Sequence, residues 1–286
     1  MADALHATPA PAAPPVPTLV IEAGRLSQNY WRDLWRYREL LGFLAWRDIM
    51  VRYKQTSLGV AWALVQPLIT LVVFTFVFGD IAKMPAGGVP YPLLVLSGLL
   101  PWQLFSSAFS GASGSLVGNA NLISKIYFPR LVVPMSALAV ALIDFLVVCA
   151  LYALFALWYH DLPSWHVLLL PALILLALLT ALGAGLWMTA LTVKYRDFRY
   201  VVPFLLSAGI YVTPVAFRTD MHPNWRGLLA LNPLTGVVDG FRWCLLDTEP
   251  TFYWAGFITS LLLVAILLVT GVWYFRRMER EFADII

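Results

Sequence analysis

Residues able to do chemistry are few in this sequence. The densest group is YHDLPSWH, 159–166, where His160, Asp161 and His166 share one short polar stretch. Imidazoles and carboxylates ligate metals, but a prolyl turn splits the two histidines and no further ligand is near, so the spacing reads as an ordinary loop. Cys149 and Cys244 match no metal spacing and give no disulfide framework. Cys149 lies inside an apolar run, where a small packing residue is expected. No glycine-rich loop suited to cradling phosphates occurs, so no Walker-type ATP site is expected in this chain. Asp144 is the one acid near the middle of a long apolar stretch. A charge at the centre of a bilayer costs about 2.5–3.5 kcal/mol, so Asp144 must be protonated, paired or turned toward water. No Lys or Arg is expected at matching depth, which leaves an interhelical hydrogen bond or a place in a polar pathway.

The elements that position these residues must be membrane helices. The chain has 286 residues, 60% hydrophobic and 12% charged, with a mean hydropathy of +0.77. Soluble domains are nearer half apolar and a quarter charged. A spanning helix needs about 20 apolar residues. Six stretches qualify or nearly do: about 59–79, 91–117, 131–159, 166–193, 201–217 and 252–275. The stretch 227–247 is apolar but broken by Asn232, Pro233, Asp239 and Arg242, so it reads as short helices re-entering one leaflet. The expected fold is therefore an all-α polytopic membrane protein with six transmembrane helices and no sizeable aqueous domain.

Orientation follows from Lys and Arg, which collect on the cytoplasmic side. Of 19 such residues, only Lys83, Arg218, Arg226 and Arg242 fall on one side of a six-span layout. The rest precede the first span, lie in the loops after the second and fourth, or follow the last. Both termini are thus expected in the cytoplasm. Residues 1–28 are rich in Pro and Ala and begin without the basic region of a signal peptide, so a disordered cytosolic tail is expected. A second short tail is expected at 279–286. Residues 29–54 read as interfacial and lead-in helices. Within them Tyr30, Trp31, Leu34, Trp35, Tyr37 and Leu41 fill one helical arc, and Arg32, Asp33, Arg36 and Glu39 the opposite arc. Aromatic face against arginine-bearing face describes a helix lying in the membrane interface. Arg38 falls in the apolar arc and must snorkel.

The first span begins RDIMVRYKQTSLGVAWALVQPL, 47–68, and carries Trp62, Gln66 and Pro67, which a plain anchor does not need. They make sense if this helix faces a wet channel. Trp102 lies in SGLLPWQLFSS, 97–107, the least lipid-like part of its span. Aromatic planes stack on the apolar faces of sugar rings, so Trp102 is a candidate to line a carbohydrate path. The alternative for such aromatics is an interfacial belt and lipid-facing bulk.

Four blocks together resemble the membrane subunit of ABC exporters of the ABC-2 type, in the branch that exports O-antigen, capsule and teichoic-acid polysaccharides. They are RDIMVRYKQTSLGVAWALVQPL (47–68), SGLLPWQLFSSAFSGASGSLVGNANLISKIYFPRLVVP (97–134), KYRDFRYVVPFLLSAGIYVTPVAF (194–217) and LNPLTGVVDGFR (231–242). The resemblance implies a permease dimer carrying two copies of a cytosolic ATP-binding subunit, which would hold ATP and Mg, this chain having no cofactor of its own. It implies a lipid-linked polysaccharide as substrate, the bacterial inner membrane as location, contacts with membrane lipids and none with nucleic acid. It marks NLISKIYFPR (121–130) as a coupling helix, with Leu122, Ile123, Tyr127 and Phe128 seated on the ATPase, and Lys125 and Arg130 paired with its acids. A cytosolic loop with Arg196 and Asp197 precedes the fifth span. Trp62, Gln66, Pro67, Trp102, Tyr211, Pro214 and Arg242 become channel or gate candidates, the outer end of the fifth span being bent and loosely held. Arg242 would meet an anionic group or pair with Asp239 or Asp247. A drug- or lipid-moving ABC-2 permease is the alternative, and an integral membrane enzyme of envelope assembly a more distant one.

Overall fold

The computed structural model describes residues 30–54, 59–221, 223–246, 252–279 and 282. The expected tail at 1–28, the last four residues, Asp247 and the side chain of Trp62 lie outside the described residues. Every regular element among them is a helix. Two helices lead in, α1 (Tyr30–Arg36) and α2 (Arg38–Lys54), broken from one another at Tyr37. Next comes α3 (Gly59–Phe74), whose last turns widen into a π-helix over Thr75–Ile81. The long helices α4 (Tyr91–Gly118), α6 (Val132–Tyr159), α7 (Leu170–Lys194) and α11 (Trp254–Met278) form the body. Shorter helices are α5 (Ala120–Ile123), α8 (Phe198–Val212), α9 (Pro223–Leu229) and α10 (Pro233–Leu245).

Local chemistry explains several boundaries. Pro92, Pro171 and Pro233 stand in first turns, where a missing N–H costs nothing. The Asn232 side chain accepts from the Leu234 N–H at 3.0 Å and caps α10. His160 closes α6 in the left-handed region, φ 55°. α8 ends where Thr213 turns extended ahead of Pro214, since a residue before proline avoids the helical region.

Five helical segments are long and apolar enough to cross a membrane: Ala63–Ile81, Tyr91–Gly118, Val132–Tyr159, Trp165–Lys194 and Trp254–Met278. They match the expected stretches to within a few residues. The fifth expected stretch, 201–217, differs. It divides into α8, 15 residues long and so about 22 Å, and the non-helical segment 213–217. The apolar window of α4 is 72% buried within the chain, against 17% for the first segment. α4 is therefore the hub, flanked by α6 and α7, while α3 lies at the edge with much of its surface bare. α7 and α11 meet backbone to backbone. A Cβ on Gly271 would lie 2.4 Å from the Gly183 carbonyl oxygen. Small residues allow such contact, and dispersion rather than a hydrophobic force holds it in lipid. Just along the same seam Trp187 stacks on Tyr274, centroids 4.2 Å apart.

Candidate functional site

The loop between α4 and α6 is built as a clamp with an exposed tip. Asn119 ends α4, its amide donating to the Ser115 carbonyl at 2.9 Å, and its own oxygen accepts from Arg47 at 2.6 Å. α5 then makes one turn. Ile123 and Phe128 are buried in a cluster with Leu44, Leu131, Leu186, Phe275 and Phe282. Between these two anchors Lys125, Ile126 and Tyr127 are exposed, Ile126 by 55% and Tyr127 by 62%. Leu122 is half-buried. The loop encloses a concavity of about 310 Å³. Three residues expected to meet the ATPase are engaged within the chain. Ile123 and Phe128 are anchors in the cluster just described. Arg130 is likewise engaged inward: its N–H donates to Glu279 Oε1 at 3.0 Å, its guanidinium to the Glu279 carbonyl, and it lies over the Phe282 ring at 5.9 Å. Burial pushes the Glu279 carboxyl above the usual carboxylate range, against the pull of these donors.

Asp144 is buried in α6 and has three partners. Ser107 of α4 donates to Oδ2 at 2.8 Å, the Tyr53 hydroxyl donates to Oδ1, and an Arg52 Nη2 lies 2.8 Å from Oδ2. The interhelical hydrogen bond is present. The expectation of no cation at this depth is corrected, because Arg52 reaches in from α2. α2 thus climbs beside α6 to a point about 18 Å along it and ends against a carboxylate. Sequence periodicity could not show this, since Arg52 stands outside every apolar stretch.

The interfacial arc at 29–41 splits in the structure. Tyr30, Leu34, Tyr37 and Leu41 pack on the chain, whereas Trp31 and Trp35 are largely exposed, by 58% and 72%. The Arg38 guanidinium lies over the Trp35 ring at 5.6 Å.

On α3, Gln66 is exposed and Pro67 buried. Val65, Ile69, Val72, Val73 and Phe76 share the bare surface with Gln66. On α8, Tyr200, Phe204, Leu205, Ser207, Tyr211 and Val212 are exposed. The Phe74 and Tyr211 rings, 6.0 Å apart, join the two helices. Arg196 and Asp197 are exposed on the turn ahead of α8. Trp102 belongs to neither surface. It is buried in the main core, 5.9 Å from Phe105, and a Cβ on Gly209 would lie 2.8 Å from its ring. Within the protomer Trp102 is packing that seats α8 on α4.

The C-terminal end of α8, expected to be bent and loosely held, is packed within the chain. Thr213, Pro214, Val215 and Ala216 are buried. Arg242 is buried too, and two of its nitrogens are spent on backbone carbonyls of its own chain. It donates to the Val215 carbonyl at 2.8 Å and to the Phe217 carbonyl at 2.7 Å. Tyr91 donates to the Ala216 carbonyl at 2.6 Å, and Asn232 to Thr213 Oγ1 at 2.9 Å. Asp239 accepts from Thr219 at 2.9 Å. Arg218 grips Asp220 at 2.6 and 3.0 Å, and that hydrogen bonding holds the Asp220 carboxyl below its usual range. α10 is thereby clasped to the segment following α8. His166 lies between Trp165 and Trp243, with centroids 4.3 and 4.2 Å away. Among the described residues no three His, Cys, Asp or Glu converge on a possible ion site.

Five helical segments long and apolar enough to cross a membrane make this a polytopic helical membrane protein. Residues 39–246 match the ABC-2 type transporter family, and this chain belongs to it. The chain is 30% identical over 214 residues to the O-antigen export system permease protein RfbA of Myxococcus xanthus, covering 74% of this chain and 82% of that one. A Klebsiella pneumoniae protein of the same description is 27% identical, over 87% of this chain and 95% of its own length. The polysialic acid transport protein KpsM of Escherichia coli is 29% identical, over 68% and 76% respectively.

Proposed function

We propose that this chain is the permease subunit of an ATP-driven exporter that moves a lipid-linked polysaccharide out of the cytoplasm across a bacterial inner membrane. The observation that carries the coupling is the 121–130 loop. Its exposed Ile126 and Tyr127 are flanked by the buried anchors Ile123 and Phe128, so a push on the tip is delivered to α4 and α6 rather than absorbed. A separate ATP-binding subunit, with ATP and Mg, would seat there. The relatives named for O-antigen and polysialic acid export support a polysaccharide cargo. Two copies of the chain would face one another across α3 and α8, where Gln66, the polar residue among apolar neighbours, finds water or a partner instead of lipid. α8 and the buried segment 213–217 would together complete a sixth crossing and keep both termini in the cytoplasm.

The test is reconstitution in proteoliposomes. The chain with its ATP-binding subunit should move lipid-linked polysaccharide only when ATP is present. The purified chain alone should show no ATP turnover. Robust hydrolysis by this chain alone, or ATP-driven movement of small drugs with no movement of glycan, would overturn the reading.

A further inference from the structure

A groove between α1 and α11 has a composition the export reading does not use. It runs along one face of α11 and has about 650 Å³ of space. Leu268, Val269 and Val272 form its apolar floor, Trp31 of α1 and Trp273 form aromatic walls, and Arg276 and Arg277 close one end. From residue 268 to residue 277 the α11 backbone rises about 14 Å, so the groove passes from wholly apolar to doubly basic along its length.

Both arginines are held in place by rings. Arg276 lies over Tyr30 at 4.4 Å and Arg277 over Trp273 at 5.6 Å. The Arg276 Nε is buried with no hydrogen-bond partner among the described residues. Glu279 is electrostatically coupled to Arg276 but takes its hydrogen bonds elsewhere, from the Arg130 N–H at 3.0 Å and the Tyr30 hydroxyl at 3.5 Å. Two guanidiniums, positioned by stacking and aimed into a trough, suit a phosphate, because the planar fork matches its oxygens. Tryptophans at the boundary of apolar and charged surface mark the headgroup level of a bilayer.

We infer that this groove binds one anionic phospholipid of the leaflet in which α1 lies, with an acyl chain along Leu268, Val269 and Val272 and the phosphate between Arg276 and Arg277. Charge complementarity selects this occupant: a zwitterionic headgroup would add an ammonium to a site already carrying two cations. The inference requires only that the chain sits in a membrane; it does not depend on which cargo is exported.

The experiment is native mass spectrometry of the full-length chain extracted from membranes, titrated with phosphatidylglycerol or phosphatidylethanolamine. Each arginine near an anionic headgroup is worth about fivefold in affinity. The wild-type chain should retain phosphatidylglycerol over phosphatidylethanolamine. Arg276→Gln with Arg277→Gln should lower that retention about thirtyfold. Arg277→Gln alone, which leaves the Arg276–Tyr30 packing in place, should lower it about fivefold. Arg196→Gln with Arg199→Gln removes equal charge from another surface and should leave it unchanged. Equal loss in that control, or no preference between the two lipids, would overturn the assignment. So would phosphatidylglycerol binding that appears only after deletion of residues 1–28, which would make the chain's own N-terminal segment the occupant. Preferential retention of a polyprenyl pyrophosphate would also overturn it, by making the groove a substrate site.

Discussion

Arg52 and Asp144 make the most consequential pair of side chains in the membrane domain. Asp144 is 5% exposed and Arg52 52%, at 2.8 Å separation. The carboxylate has lost its water and depends on partners; the guanidinium has not. Removing Arg52 therefore leaves a buried acid with two hydroxyl donors and without the Arg52 countercharge, while removing the charge on Asp144 leaves a half-exposed arginine that solvent or headgroups can reach. Arg52→Gln should lower stability by about 1–3 kcal/mol, at the lower end because Arg52 is half-exposed. Asp144→Asn should cost about 1–2 kcal/mol, since the amide oxygen still accepts from Ser107. The double variant should be no worse than the poorer single one, which requires a coupling of about 1 kcal/mol or more. Thermal unfolding of the four proteins in one detergent reads this directly. Strict additivity would mean that the pair contributes nothing to holding α2 against α6.

At the scale of elements, the 121–130 loop divides its residues between two jobs, and substitutions should divide with them. Ile126→Asp and Tyr127→Asp change exposed side chains of a loop still anchored by Ile123 and Phe128. Each should leave folding intact and lower stimulation of the partner's ATP hydrolysis by tenfold or more, about 1.4 kcal/mol or beyond in coupling. Phe128→Asp places a carboxylate in a buried cluster and should instead lower the yield of folded protein. Size-exclusion profiles beside ATPase rates separate the two cases. If Tyr127→Asp leaves the stimulated rate unchanged, the exposed tip is not the seat. The sequence made this loop legible as an element, because five apolar residues between two long spans have no reason to face water. It did not say which of the five face inward. That depends on Leu44, Phe275 and Phe282, which come from distant parts of the chain. The same limit explains Arg242 and Trp102. Both lie in stretches whose boundaries composition reveals, yet their facing is set by Val215 and Phe217 in one case and by Gly209 in the other. Spans are legible because about 20 apolar residues suffice to define one; facing is a tertiary property and leaves no period to read.

For the whole molecule, the distribution of burial selects the face on which the proposed second copy would sit. α4 is the most buried of the candidate spans, and α7 and α11 share a backbone contact. α3 and α8 are different. They are the edge helices, joined by the contact of Phe74 with Tyr211, and they carry exposed Gln66 and Ser207 among large apolar side chains. Lipid alone would tolerate the apolar residues. Gln66 would leave its amide unsatisfied there, at a cost of several kcal/mol. A facing copy, or water held between two copies, removes that cost. Ile69→Cys, one turn along from Gln66 and 57% exposed, should therefore form a disulfide-linked dimer under mild oxidation in native membranes. Leu261→Cys, on α11 and 49% exposed, should stay monomeric under the same conditions. The native cysteines are buried or half-buried, and replacing both with serine first removes any background. Equal cross-linking at the two positions would place the copies without preference and defeat the assignment of α3 to the shared face. Cross-linking at Leu261→Cys alone would move the second copy onto α11, the helix that carries the basic groove.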